Sequence, residues 1–205
     1  VAAMIAIIDY DAGNLKSVEK ALVSLGENPV ISRDKEILLS ADKVILPGVG
    51  AFGEAMEKLH QYGLVEVIQK VAEKGTPLLG ICLGLQLFFE SSQESEGVKG
   101  LGLLPGKIIR FPETLGLKVP HMGWNSLNIK PEAKLFNGIN SGEYVYFVHS
   151  YYLEAGRQSD VAATAEYGLT FGASVERGNV FGCQFHPEKS SDTGLKILKN
   201  FIELT

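Results

Sequence analysis

Leu79-Gly80-Ile81-Cys82-Leu83-Gly84-Leu85-Gln86 is the stretch on which the reading of the fold turns. An apolar run from Pro77 to Ile81 stops at a cysteine with glycines two residues away on both sides, and a helical pattern follows. This is the grammar of a nucleophile elbow, a sharp strand-to-helix turn that holds one reactive side chain clear of a sheet. Side chains at the two glycines would collide with the neighbouring backbone of so tight a turn. The turn also sets the thiol at a helix N-terminus, where unpaired N–H groups and the dipole favour thiolate over thiol. A buried cysteine in a Gly-rich turn is the plainer reading, and this motif alone does not separate the two.

Upstream, short apolar strands alternate with amphipathic helices. Ile5-Ala6-Ile7-Ile8-Asp9 reads as a strand buried on both faces, followed by the turn Asp11-Ala12-Gly13-Asn14. Leu15, Val18, Leu22 and Leu25 form a helical face closed by Gly26. Pro29-Val30-Ile31 and Val44-Ile45-Leu46 are further strands, and Phe52 to Glu73 reads as helix interrupted at Gly63. The strand Leu78 to Ile81 then leads into a helix from Leu83 to about Glu90. Such alternation implies a parallel sheet with right-handed crossovers.

Downstream the chain is richer in strand and turn. Gly123 to Ile129 has strand-like alternation, and Glu143–Val148, Val161–Tyr167, Gly172–Val175 and Val180–Phe185 follow at hairpin-like spacings. Ser190-Ser191-Asp192 offers N-cap candidates for a last helix with Leu195, Leu198, Phe201 and Ile202 as its apolar face. The expected architecture is α/β, a mixed, mostly parallel sheet with helices on both faces. No repeat or linker divides the chain, so residues 1–205 read as a single domain.

Bulk properties narrow the function. A net charge of −5 and the absence of any basic cluster exceeding two adjacent residues argue against a polyanion-binding protein. Two cysteines make neither a disulfide framework nor a structural zinc site, so no metal and a reducing, cytoplasmic setting are expected. No apolar stretch approaches the roughly 18 residues of a membrane span. Val1-Ala2-Ala3-Met4 lacks the charged region and apolar core of a signal peptide.

Two further motifs change the balance at Cys82. Phe185-His186-Pro187-Glu188 closes a strand, and in an extended chain His186 and Glu188 face the same way. A carboxylate there fixes the imidazole tautomer and stabilises imidazolium; together with the elbow this supplies nucleophile, base and orienter for acyl transfer through a thioester. Cys183, on the opposite face by period-two counting, reads as packing. Pro47-Gly48-Val49-Gly50 follows the third strand, and its glycines free the backbone to point N–H groups into the crevice beyond the strand ends. Those donors, with the N–H of Leu83, suit the oxyanion of a tetrahedral intermediate. A phosphate loop is the rival reading, but no G-x-x-x-x-G-K-[ST] pattern is present.

In this order and at these distances, the three motifs resemble those of the class I, or triad, glutamine amidotransferases, and the resemblance covers essentially the whole chain. It implies a three-layer, flavodoxin-like fold and a cofactor-free glutaminase. Cys82 would attack the side-chain carboxamide of L-glutamine, His186 would carry the proton to departing ammonia, and Glu188 would orient His186. Gln86 and backbone near Ser150 and Tyr151 would hold the substrate.

The chain has no room for a synthase domain, so ammonia would pass to a separate polypeptide. Asp9-Tyr10-Asp11-Ala12-Gly13-Asn14, Pro120-His121-Met122-Gly123-Trp124-Asn125 and Phe147-Val148-His149-Ser150-Tyr151 resemble the glutaminase subunits of histidine biosynthesis. That resemblance implies a heterodimer with a (βα)8-barrel cyclase docked near Asn14, His121, Trp124 and Lys189. Asp11 stands where relatives often carry a small residue. The alternatives are a pyridoxal-phosphate synthase glutaminase, a cysteine peptidase, and a non-catalytic binding protein of the same fold.

Overall fold

The structure, a computed structural model, describes residues 3–205. Val1 and Ala2, the start of the segment read as lacking a signal peptide, lie outside the described residues. The first half runs β1 (Ile5–Ile8), α1 (Leu15–Ser24), β2 (Val30–Ser32), α2 (Lys35–Ser40), β3 (Lys43–Leu46), α3 (Phe52–Gln61), α4 (Val65–Glu73), β4 (Leu78–Ile81) and α5 (Leu83–Leu87). The second half runs β5 (Ser91–Ser92), β6 (Gly106–Arg110), β7 (His121–Ser126), β8 (Asn128–Ile129), β9 (Tyr144–His149), β10 (Tyr151–Ala155), β11 (Val161–Glu166), β12 (Thr170–Arg177), β13 (Val180–Cys183) and α6 (Ser191–Ile202).

The main sheet has the order β2-β1-β3-β4-β13-β12-β10-β6-β5, with β11 and β8 attached beside β12. From β2 to β13 every neighbouring pair is parallel; from β13 through β12 and β10 to β6 every pair is antiparallel. The inner parallel strands β1, β3 and β4 are buried on both faces, in keeping with their apolar runs, while β2 at the edge is half-buried. Ile5, Ile7, Ile45 and Leu79 pack under α1 and α6, while Ala6, Ile8, Val44 and Leu78 pack against α2, α3 and α4. The α/β architecture is therefore the one the alternation implied.

Several boundaries differ from the sequence reading for identifiable reasons. The turn at Gly63, with φ of 64°, splits the Phe52–Glu73 stretch into α3 and α4. The polar segment before β3 forms α2, capped by the Asp34 carboxylate on the amides of Glu36 and Ile37, a start signal not recognised above. Residues 121–129 are two strands rather than one: β7 pairs with β9 in a separate ribbon, and β8 joins β11. Ser190 precedes α6 but makes no side-chain cap. Its hydroxyl instead donates to the His186 carbonyl (2.6 Å) and accepts from the Tyr146 amide (2.9 Å). No described helix is long and apolar enough to cross a membrane.

Candidate active site

β4 ends at Ile81, and the chain turns on Cys82 at φ 55° and ψ −110°, a conformation sparsely used by residues with a side chain. Three hydrogen bonds hold it there: Cys82 N–H to the Cys183 carbonyl (2.7 Å), Leu83 N–H to the Gly48 carbonyl (3.2 Å), and Leu85 N–H to the Cys82 carbonyl (3.1 Å). Both flanking glycines are sterically required. A Cβ on Gly84 would strike the Leu46 carbonyl oxygen, and one on Gly80 would lie 2.7 Å from the Gly84 carbonyl carbon. α5 is shorter than expected, ending at Leu87, but it starts where the elbow requires.

His186 and Glu188 meet through a turn rather than an extended strand. β13 stops at Cys183, and Pro187–Lys189 form one turn of 3-10 helix. His186 Nδ1 lies 3.0 Å from Glu188 Oε2, with both side chains fully buried. The His186 backbone is clamped by its N–H to the Tyr146 carbonyl (3.0 Å), in addition to the Ser190 contact. Burial by itself lowers the basicity of His186, but the neighbouring Cys82 sulfur and the Glu188 carboxylate outweigh it and push its pKa up to about 10, although only Glu188 is hydrogen-bonded to the ring and Nε2 has no partner in this conformation. These neighbours favour the protonated imidazole over the neutral one.

Cys82 and His186 face a cavity of about 300 Å³ that Val49, Gly50, Leu83, Gln86, Ser150 and Tyr151 help to line. Every residue assigned above to nucleophile, base or substrate contact lines it, except Gly48, directly behind Val49, and Glu188, directly behind His186. Gln86 makes its hydrogen bonds through Nε2, to the Tyr151 carbonyl (3.2 Å) and to Gln184 Oε1 (3.0 Å), which leaves its Oε1 as the end open to a ligand. The Leu83 amide, expected as an oxyanion donor, is engaged by the Gly48 carbonyl in this conformation. Tyr10 fixes the loop from below, its buried hydroxyl donating to the Pro47 carbonyl at 2.5 Å. Glu94 and Ser95 accept from the Phe52 and Gly53 amides and so cap α3 just beyond the loop.

Cys183 is fully buried, and burial pushes its thiol well above the usual range, which suits packing. Of the residues expected on a docking face, Trp124 (51% exposed) and Lys189 are at the surface. His121 and Asn14 are not. His121 sits opposite His149 in the β7–β9 ribbon, within hydrogen-bonding distance of it (3.0 Å) and stacked on Tyr167 and Phe147, because alternation along β7 turns it inward and Met122 and Trp124 outward. Asn14 is buried with neither polar side-chain atom partnered. Asp11 takes φ 71°, and its carboxylate gathers Tyr62 (2.6 Å), Arg33 (3.0 Å) and Lys58 (3.3 Å), so the larger residue is accommodated by local partners. Among the described residues no cluster of His, Cys, Asp and Glu is arranged to hold a metal.

Residues 6–204 match the family model Glutamine amidotransferase class-I. The chain is 56% identical to imidazole glycerol phosphate synthase subunit HisH of Moorella thermoacetica, covering 98% of this chain and 94% of that protein. It is 54% identical to the subunit of the same name from Methanosarcina acetivorans, with 98% of each covered. A solved structure titled PurLQS from Thermotoga maritima shares the fold at a TM-score of 0.77 and 22% identity, over 98% of each chain. With an elbow cysteine and a buried His–Glu pair on one cavity, and a family match over nearly its whole length, this chain belongs to the class I glutamine amidotransferases.

Proposed function

We propose that this chain is the glutaminase subunit of imidazole glycerol phosphate synthase, hydrolysing L-glutamine through a thioester on Cys82 and passing ammonia to a cyclase subunit. The observation that carries the chemistry is the placement of a strained elbow cysteine on one cavity with a buried imidazole that is hydrogen-bonded to Glu188. The shared name of relatives at 50–56% identity supports the pathway.

In this reading the Cys82 sulfur adds to the carboxamide carbon of glutamine. His186 gives its Nε2 proton to the amide nitrogen, the C–N bond breaks, and ammonia leaves the glutamyl thioester. A water then attacks, His186 takes its proton, and the C–S bond breaks to release glutamate. Glu188 keeps the imidazole in register through Nδ1. The oxyanion would form near the amides of Val49, Gly50 and Leu83. The Leu83 amide becomes available only when the Gly48 carbonyl turns away, so the Gly48–Gly50 segment is a natural point of control.

The cyclase, a (βα)8-barrel, would convert N′-[(5′-phosphoribulosyl)formimino]-5-aminoimidazole-4-carboxamide ribonucleotide into imidazole glycerol phosphate and aminoimidazole carboxamide ribonucleotide. The docking face would present Trp124, Met122 and Lys189, with His121 supporting it from beneath.

The test is glutamate release from glutamine by the chain alone and with the purified cyclase plus its nucleotide ligand. Strong stimulation by both together, lost in Cys82→Ala while added ammonium still drives the cyclase, is the expected result. No stimulation, with Cys82 still labelled by a glutamine analogue, would keep the glutaminase and reject the histidine pathway.

A further inference from the structure

Gln184 is fully buried, lies two residues before His186, and has no role in the reaction as derived so far. Its backbone N–H is fixed to the Ala173 carbonyl at 2.8 Å. Its side-chain Oε1 accepts from Gln86 Nε2 (3.0 Å), and its Nε2 lies 3.9 Å from the Cys82 sulfur, a reach appropriate to a hydrogen bond to sulfur.

The orientation of this amide follows from its neighbours. The Tyr151 carbonyl can only accept, and it takes Gln86 Nε2 at 3.2 Å and His149 Nδ1 at 2.8 Å. Gln86 must therefore point its NH₂ group toward both Tyr151 and Gln184, and Gln184 must answer with its oxygen. The NH₂ of Gln184 is left facing Cys82. Turning Gln184 over would set donor against donor at Gln86 and two acceptors face to face at the sulfur.

We propose that Gln184 is a positioning residue for Cys82, its carboxamide N–H steadying the sulfur as thiolate from the side away from solvent. An N–H donor bonds a thiolate well and a thioester sulfur poorly. The contact therefore favours the attacking thiolate before the first step and the departing thiolate in the second. This rests on the glutaminase reading above for its catalytic consequence, but not for its effect on the thiol.

The test is the pH profile of Cys82 alkylation by iodoacetamide, followed by peptide mass analysis, in the full chain and in Gln184→Met. Cys183, fully buried, is not expected to compete. The expected result is a midpoint moved upward by about one pH unit, the shift due to one charge-assisted hydrogen bond. In glutamine hydrolysis, kcat falls about 10-fold with KM little changed. A folded Gln184→Met with the wild-type midpoint overturns the proposal. Should Gln184→Met not fold, Gln184→Leu removes the N–H at similar volume without placing a charge beside the sulfur. An unchanged midpoint there overturns it equally, and an upward shift supports it. Because alkylation needs no glutamine, a wild-type chain that fails to hydrolyse glutamine even with the cyclase and its nucleotide ligand would defeat the proposed function while leaving this test to decide Gln184.

Discussion

His186 and His149 line the same cavity, both out of solvent, yet their surroundings drive them to opposite charge states. His186 faces the Cys82 sulfur and is hydrogen-bonded to the Glu188 carboxylate, and these partners overcome the cost of burying its charge. His149 is surrounded by Phe111, Phe147 and Phe171 and by a second imidazole, so burial wins and its pKa falls to about 3. His121 falls to about 4 for the same reason. With His149 Nδ1–H donating to the Tyr151 carbonyl, its Nε2 must accept. His121 Nδ1 must then carry the proton between the two rings, and His121 Nε2 receives Asn125 Nδ2 at 3.3 Å. Under the proposed mechanism the first histidine moves a proton; the other two are neutral braces for the Ser150–Tyr151 wall. Desolvation is common to all three, and the nearby charge decides which outcome burial produces.

The sharpest way to separate the two roles is by activity. Under the proposed mechanism, His186→Ala should lower kcat/KM for glutamine by about 10⁴-fold or more, read by glutamate release. Glu188→Gln should be about 10- to 100-fold less severe, since an orienter contributes less than the base it holds; equal losses would contradict that ranking. His149→Phe should act mainly on stability, costing about 1–3 kcal/mol in denaturant unfolding, because it leaves the His121 Nδ1–H donor buried and unpaired. A loss of activity as large as that of His186→Ala would break the distinction between them.

pH dependence sharpens the same contrast. The folded pKa of His186 lies above its ordinary 6.5, so its pairing stabilises the fold fully below about pH 6.5 and is lost as pH rises through about 10. For His149 and His121 the folded values lie below 6.5, so the unfolded chain binds protons that the folded chain refuses. Their contribution is lost as pH falls from about 6.5 toward about 4 and then about 3. Unfolding free energies measured across this range should lose their alkaline limb in His186→Ala and part of their acid limb in His149→Phe. The smallest change in stability is expected at the elbow itself. Cys82→Gly, which relieves a φ of 55°, should gain about 1 kcal/mol of stability while abolishing glutamine hydrolysis.

The elbow, the parallel β1-to-β4 units and the residues of the Cys82, His186 and Glu188 group were legible before any coordinates. Each depends on chemistry within a few residues: apolar runs bounded by glycine, and a histidine with a carboxylate two positions on. α2 went unread because its signal is one capping aspartate before a mixed sequence. β5, β6 and β10 went unread because they are short and gain their identity only from cross-strand partners.

His121 illustrates the limit most directly. Period-two alternation could place it on either face of β7 until the ribbon with β9 set it against His149 and turned Trp124 outward. Gln184 is the companion case. A glutamine between Cys183 and Phe185 carries no local mark of function, and its meaning comes from Gln86 and Tyr151, 98 and 33 positions away along the chain. Short-range covalent order was enough to dictate the turn, to mark Cys82 as the candidate nucleophile and to indicate the class of chemistry. The orientation of each amide, the tautomer of each imidazole and the engaged state of the Leu83 amide depend on hydrogen-bond partners that only long-range packing brings within about 3 Å.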